Sequence, residues 1–184
     1  MYPGLRSLQR RVRGVCAAAA VAATCAAPPL AAQALTPRPE DVSTIDGIIR
    51  AFYDVISGPA GAPRQWQRDS TLYIAGVRFV SMGVRQGRPV ARVSDHGQYV
   101  ANVNEGLVRN GFFERELHRE TRRFGNIVHV FSTYEYRATE SGPVQGRGVN
   151  SIQLFWDGSR WWIANATWDE ERPDNPIPRE LLPR

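Results

Sequence analysis

The chain of 184 residues has no lysine: each of its 23 Lys-or-Arg positions is arginine. That excludes Schiff-base chemistry, a lysine general base and the lysine of a phosphate-binding loop. Cysteine is nearly absent. Its two copies, Cys16 and Cys25, fall at the front of the chain. The remainder therefore has no disulfide, thiol nucleophile or cysteine metal site. Nucleophile elbows, Gly-rich phosphate loops and His-rich metal spacings are missing as well. The one long apolar run, residues 14–27, is too short to span a bilayer as a helix.

What is present begins with a targeting pattern. Arg6, Arg10, Arg11 and Arg13 precede the apolar run, Pro28-Pro29 break it, and Ala32-Gln33-Ala34 follows as a small-x-small cleavage pattern. Residues 1–34 thus read as a cleavable signal peptide. The expected product is exported, periplasmic or secreted, and meets a membrane only in transit. Residues 35–184 keep 19 of the 23 arginines against all 18 acids, a net charge near +1. The basic balance of the whole chain therefore belongs largely to the signal, and no nucleic-acid partner is expected. The remaining 150 residues can bury a core without staples.

Apolar spacing predicts a helix over 40–57, carried by Val42, Ile45, Ile49, Phe52 and Ile56 and stopped by Gly58-Pro59. A shorter helix is predicted over 64–73 behind Pro63. Strands follow at 77–82 and 89–93 around Gln86-Gly87. Ser94 and Asp95 cap a third helix that ends at Asn110-Gly111. Strands at 112–123, 126–139, 147–156 and 160–168 complete an expected antiparallel meander, with turns at Phe124-Gly125-Asn126 and Asp157-Gly158-Ser159. The Pro-rich tail, 173–184, is expected to be irregular and packed over an edge. The layout is α+β, helices against one curved antiparallel sheet. Aromatics on both faces of the strands imply that the second face also needs cover.

Two segments carry a resemblance. Phe124-Gly125-Asn126-Ile127-Val128-His129-Val130-Phe131-Ser132-Thr133-Tyr134-Glu135 and Ser151-Ile152-Gln153-Leu154-Phe155-Trp156-Asp157-Gly158, followed by Trp161-Trp162-Ile163, resemble the nuclear transport factor 2-like superfamily, which includes SnoaL-like and ketosteroid isomerase-like proteins. The resemblance covers nearly all of 40–172. It implies a cone: a curved sheet wrapped around the N-terminal helices, with a pocket at the open end and homodimers through the sheet face. It implies no single activity, because this fold serves isomerases, dehydratases and binding modules alike. The isomerase pattern needs an acidic base and a tyrosine. The matching positions here are Ser81 and Phe52, with Tyr53 one residue away, so that activity is not supported.

Strand alternation groups the candidate site residues. By analogy with the cone, His129, Phe131, Ser151, Gln153 and Trp168 are expected to face its interior, joined by Tyr53, Trp66 and Arg115. Arg115 would meet an anionic group, and His129 is the candidate base. Glu135 reads as a rim residue. Glu114, Glu116, His118 and Glu120 alternate along one strand and read as a solvated face, strung out rather than converged on a metal. His96 reads as exposed. No cofactor or metal is expected. The expected function is binding of a small, largely apolar ligand in the cone, or assembly. The alternative is a cofactor-free lyase, isomerase or hydrolase with His129 as base.

Overall fold

The computed structural model describes residues 35–184. The expected signal peptide, with Cys16 and Cys25, lies outside the described residues. The chain runs α1 (Pro39–Val42), α2 (Ile45–Asp54), α3 (Trp66–Ser70), β1 (Tyr73–Arg85), β2 (Arg88–Ser94), α4 (His96–Asn110), β3 (Phe113–Phe124), β4 (Ile127–Arg137), β5 (Gly146–Trp156) and β6 (Trp161–Glu170).

The helix predicted over 40–57 is broken in two. Thr44 leaves helical geometry and its side chain accepts a hydrogen bond from Gly47 N at 2.9 Å, which starts α2 afresh. The carbonyl of Glu40 then lies against Gly47 where any Cβ would stand, so only glycine allows this junction. The second helix is also shorter than its apolar members suggest. It ends at Ser70, and Tyr73 already opens β1. The third helix starts as expected: the Asp95 side chain accepts from Gln98 N at 2.8 Å, and Asp95 N donates to Gln98 Oε1 at 3.1 Å.

The six strands form one sheet in the order β2-β1-β6-β5-β4-β3. The expected meander holds for β3 through β6. The sheet is not wholly antiparallel, however, because β1 pairs with β6 in parallel. The first strand is laid down before α4, and the chain must cross the sheet before it can hairpin back.

Helix α2 sits in the concave face. Its Ile48, Ile49, Ala51, Phe52 and Tyr53 are buried against Val128, Val130, Ile152, Leu154 and Ile163 of the sheet. Helix α4 closes the same side with no fully buried residue. Tyr99 and Leu107 pack against the core, and polar ties add to their hold. Arg64 is buried and donates to the carbonyls of Gly58 (2.8 Å), Ala62 (2.8 Å), Pro59 (3.3 Å) and, on α4, Leu107. An Arg64→Met variant leaves those carbonyls without their donor. It is expected to lose about 3 kcal/mol in urea unfolding, and a loss under about 0.5 kcal/mol would show the ties to be incidental.

The tail packs over an edge only at its end, where residues 179–184 lie beside His118, Arg119 and Glu120 of β3. It crosses the convex face of the sheet from β6 towards β3, where a 3-10 turn (Arg179–Leu181) places Leu181 O on Thr133 Oγ1 at 2.6 Å. The edge strands are β2 and β3, and the apolar ground available to Leu181 lies between them.

Candidate functional site

Between the helices and the concave face lies a cavity of about 280 Å³. Phe52 of α2, Ile56 just beyond it, Tyr99, Val103 and Leu107 of α4, Phe112 just before β3, and Phe79, Tyr134, Tyr136 and Trp168 of the sheet line it. Tyr99 stacks on Phe79 at 4.5 Å between ring centres and meets Trp168 edge-on at 6.1 Å. Phe112 stacks on Tyr136 at 5.3 Å. Gly146 and Gly148 lie opposite Tyr136 and Tyr134 on β5, and any side chain at either glycine would collide with those rings. The two glycines let the phenols lie over the sheet and shape the cavity.

Three polar groups enter this aromatic space: Glu114, Glu170 and Asn150. Glu114 is positioned by the end of α2. Its backbone N–H donates to Ser57 Oγ at 3.0 Å, and Gly58 and Phe112 exchange backbone bonds just before it. The Glu114 carboxyl has no hydrogen-bonding side chain among the described residues. Its enclosure among rings, and then the nearby Glu170 charge, push its pKa up to about 8. It is half-buried at the cavity wall, and with its pKa raised it carries a proton at neutral pH. Burial pushes the phenols of Tyr53, Tyr99 and Tyr134 far above their ordinary range, and all three stay neutral.

A cavity that holds one neutral carboxyl, neutral phenols and an amide, with the exposed Glu170 at its edge, can bind an uncharged molecule. Its volume stands near the lower end for small-molecule sites, about 300 Å³. Larger hollows occur on the convex face under the tail: two are rimmed by arginine and glutamate, and a third, of about 340 Å³, lies between Met82, Phe131, Val149, Ser151 and Trp168 of the sheet and the tail's Ile177 and Leu181.

Most of the side chains expected in the cone lie elsewhere. The core face of β4 and β5 is the apolar one, with Val128, Val130, Ile152 and Leu154 inward. That turns His129, Phe131, Ser151 and Gln153 to the convex face. There His129 Nε2 bonds Ser151 Oγ at 2.9 Å, beside the tail. Glu135 is on that face too, buried rather than at the rim, and is gripped by Arg115 and Arg137. Arg115 is largely exposed and cannot reach the cone.

Two bulges account for the remaining differences. A register shift on β3 between Glu116 and His118 separates the four alternating residues. Glu114 and Glu116 point inward and His118 and Glu120 outward, so they do not form one solvated face. A second shift on β6, between Ile163 and Asn165, puts Trp168 inside with Ala166, and Trp162 outside. Trp168 alone of its expected group therefore lines the cavity. Trp66 stands behind Tyr99, and its indole N–H donates to Asn104 Oδ1 at 2.7 Å. Tyr53 is buried behind Asn150, which donates to its hydroxyl at 3.1 Å. His96 is not an exposed residue: its Nε2 meets the fully buried Asp69 at 2.6 Å.

Glu114 escapes sequence reasoning because an acid alternating with arginines reads as surface. The available signal is Phe112 two residues before it on the same face, joined to the Gly-x-Gly spacing of Gly146 and Gly148.

The same cone occurs in solved structures. A protein of unknown function with a cystatin-like fold from Nostoc punctiforme is 8% identical, with a TM-score of 0.53 over 73% of this chain and 92% of its own. The beta subunit of a proposed aromatic-ring-hydroxylating dioxygenase from Novosphingobium aromaticivorans is 15% identical, with a TM-score of 0.54 over 76% and 94%. This chain has the nuclear transport factor 2-like fold. The Kfla4162 protein of Kribbella flavida shares that cone at 8% identity, a TM-score of 0.53, and coverage of 71% and 90%. No family model and no curated protein matches the sequence. At these identities the likeness extends to the fold, and the nuclear transport factor 2-like cone leaves the activity to be argued from the cavity.

Proposed function

We propose that this protein binds a small, uncharged, largely apolar ring compound in its cone, with Glu114 as the proton-bearing polar contact. The supporting observation is the aromatic cavity around a carboxyl raised to about 8. Such a group donates a hydrogen bond at pH 7 where an ordinary carboxylate can only accept. Export after removal of residues 1–34 belongs to the same proposal, as does pairing with a second copy. On the convex face that copy would pack on the tail as well as the sheet.

The titration of Glu114 near neutrality favours a second reading, cofactor-free proton transfer on the bound ring. Glu114, not His129, is then the acid and base, because His129 lies on the convex face.

The test titrates residues 35–184 with a two-ring alcohol, 1,2,3,4-tetrahydro-1-naphthol, and follows tryptophan fluorescence. Binding is expected, and Trp168→Leu should weaken it about tenfold by loss of ring contact. Equal binding by that variant, or none by either protein, would overturn the reading. Proton exchange at the carbon next to the carbonyl of the matching ketone, 1-tetralone, lost in Glu114→Gln, would support catalysis.

A further inference from the structure

A chain of hydrogen bonds runs from the cavity wall to the surface. Asn150 Nδ2 donates to Tyr53 Oη at 3.1 Å, Tyr53 Oη lies 2.6 Å from Ser132 Oγ, and Ser132 Oγ donates to Glu116 Oε1 at 2.5 Å. Arg119 closes the chain. Its Nε reaches both carboxylate oxygens of Glu116, at 2.9 and 3.1 Å. Its two terminal nitrogens reach Glu116 Oε2 and the exposed Asp46, each at 2.7 Å. Tyr53, Ser132 and Asn150 are buried.

The direction of this chain is set from its outer end. The Glu116 carboxylate accepts only, so the Ser132 hydroxyl must give its proton to it. Ser132 Oγ then accepts from Tyr53, and Tyr53 in turn accepts from an N–H of Asn150. The amide of Asn150 can satisfy this in one orientation only. One N–H of its Nδ2 is held by Tyr53, and among the described residues no donor engages its Oδ1. That oxygen is not enclosed, and Asn150 lines the cavity.

We infer that Glu116, through Ser132 and Tyr53, orients Asn150 so that the cone selects a ring compound bearing a hydrogen-bond donor, an alcohol or phenol, over the matching ketone. Asn150 is the contact, and Glu116, Ser132 and Tyr53 are positioning residues that do not touch the ligand. This inference rests on the ligand-binding reading of the cone.

A Glu116→Gln substitution should reverse the chain. Arg119 still needs an oxygen where Oε2 stands, so the amide NH₂ takes the place of Oε1 and donates to Ser132. Every bond in the chain then turns round. Ser132 donates to Tyr53, Tyr53 donates to Asn150 Oδ1, and the Asn150 NH₂ is left for the ligand.

The experiment measures dissociation constants for 1,2,3,4-tetrahydro-1-naphthol and 1-tetralone, which share one ring skeleton. The folded protein is expected to prefer the alcohol by about tenfold, the scale of one hydrogen bond made or lost. Glu116→Gln is expected to lower the alcohol-to-ketone affinity ratio by about tenfold or more. Tyr53→Phe, which cuts the chain, should bring the ratio close to one without reversing it, and thermal melting confirms that each variant is folded. If both compounds bind and the ratio is the same in all three proteins, the orientation of Asn150 is not set by Glu116 and the inference is overturned. If neither binds to any of them, it is the ligand-binding reading that fails.

Discussion

Replacing Glu114 by glutamine is expected to make the protein more stable above pH 8, by about 3 kcal/mol, and to leave it little changed near pH 5. In the folded protein the Glu114 carboxyl keeps its proton up to about pH 8, whereas in the unfolded chain it gives the proton up near 4.5. Between those values the folded state carries the extra proton. Stability of the unsubstituted protein therefore falls as pH rises through this window, and the loss is complete once both states are ionised. The full shift would correspond to about 5 kcal/mol. Water at the cavity mouth screens part of it, which brings the expected figure to about 3 kcal/mol. Glutamine has the same shape and never ionises, so its stability curve should lack this slope. Urea unfolding at pH 5, 7 and 9 reads the difference directly. Parallel curves for the two proteins would mean that Glu114 is solvated and the cone is wet. The same ionisation should weaken binding of an uncharged ring above pH 8, because the ligand would have to share a desolvated space with a charge.

The element order is legible in the chain because each signal is local. Asp95 with Gln98, the glycines of the turns and the alternation of β3 to β6 place most elements within a few residues. The cone itself follows from their order. What the alternation cannot carry is the side of the sheet. A bulge moves every later residue of a strand to the opposite face, and it leaves no mark in the hydrophobic pattern when the inserted residue is Leu117 or Ala164. His129, Ser151 and Gln153 read as a polar pocket lining for the same reason that they lie outside: they are the polar half of strands whose apolar half, Val128, Val130, Ile152 and Leu154, fills the core. Burial of the apolar half decides the facing, since each such side chain contributes about 1.5–3 kcal/mol when buried. A few polar contacts to a ligand cannot compete with it. Glu114 is visible only once β3 is folded against α2. Its raised pKa comes from rings supplied by other elements, and no spacing along β3 encodes them.

Loss of His96 is the other change with a large expected effect, because of what it would leave behind. Asp69 is completely buried, and its carboxylate has two partners, the Tyr73 hydroxyl at 2.9 Å and His96 Nε2 at 2.6 Å. His96→Ala removes one and leaves a buried charge half satisfied, at a cost of about 3–5 kcal/mol. For a domain of this size that corresponds to a fall in Tm of roughly 10 °C. The double variant His96→Ala with Asp69→Asn should recover most of the loss, since it removes the charge along with its partner. If the double variant is no better, the loss comes from the ring packing of His96 against Tyr73 and Phe79 and not from the charge. The consequence reaches the cavity. Helix α4 supplies Tyr99, Val103 and Leu107 to its wall yet buries no residue fully, and it is tied down by His96 to Asp69, Asn104 to Trp66, and the Leu107 carbonyl to Arg64. Releasing the first tie frees the end of the helix beside Tyr99, whose ring stacks on Phe79 and meets Trp168. Ligand affinity should therefore fall along with stability in His96→Ala, with faster release and an unchanged alcohol-to-ketone ratio. The hydrogen-bond chain that orients Asn150 runs through α2, β4 and β3 and does not pass through α4.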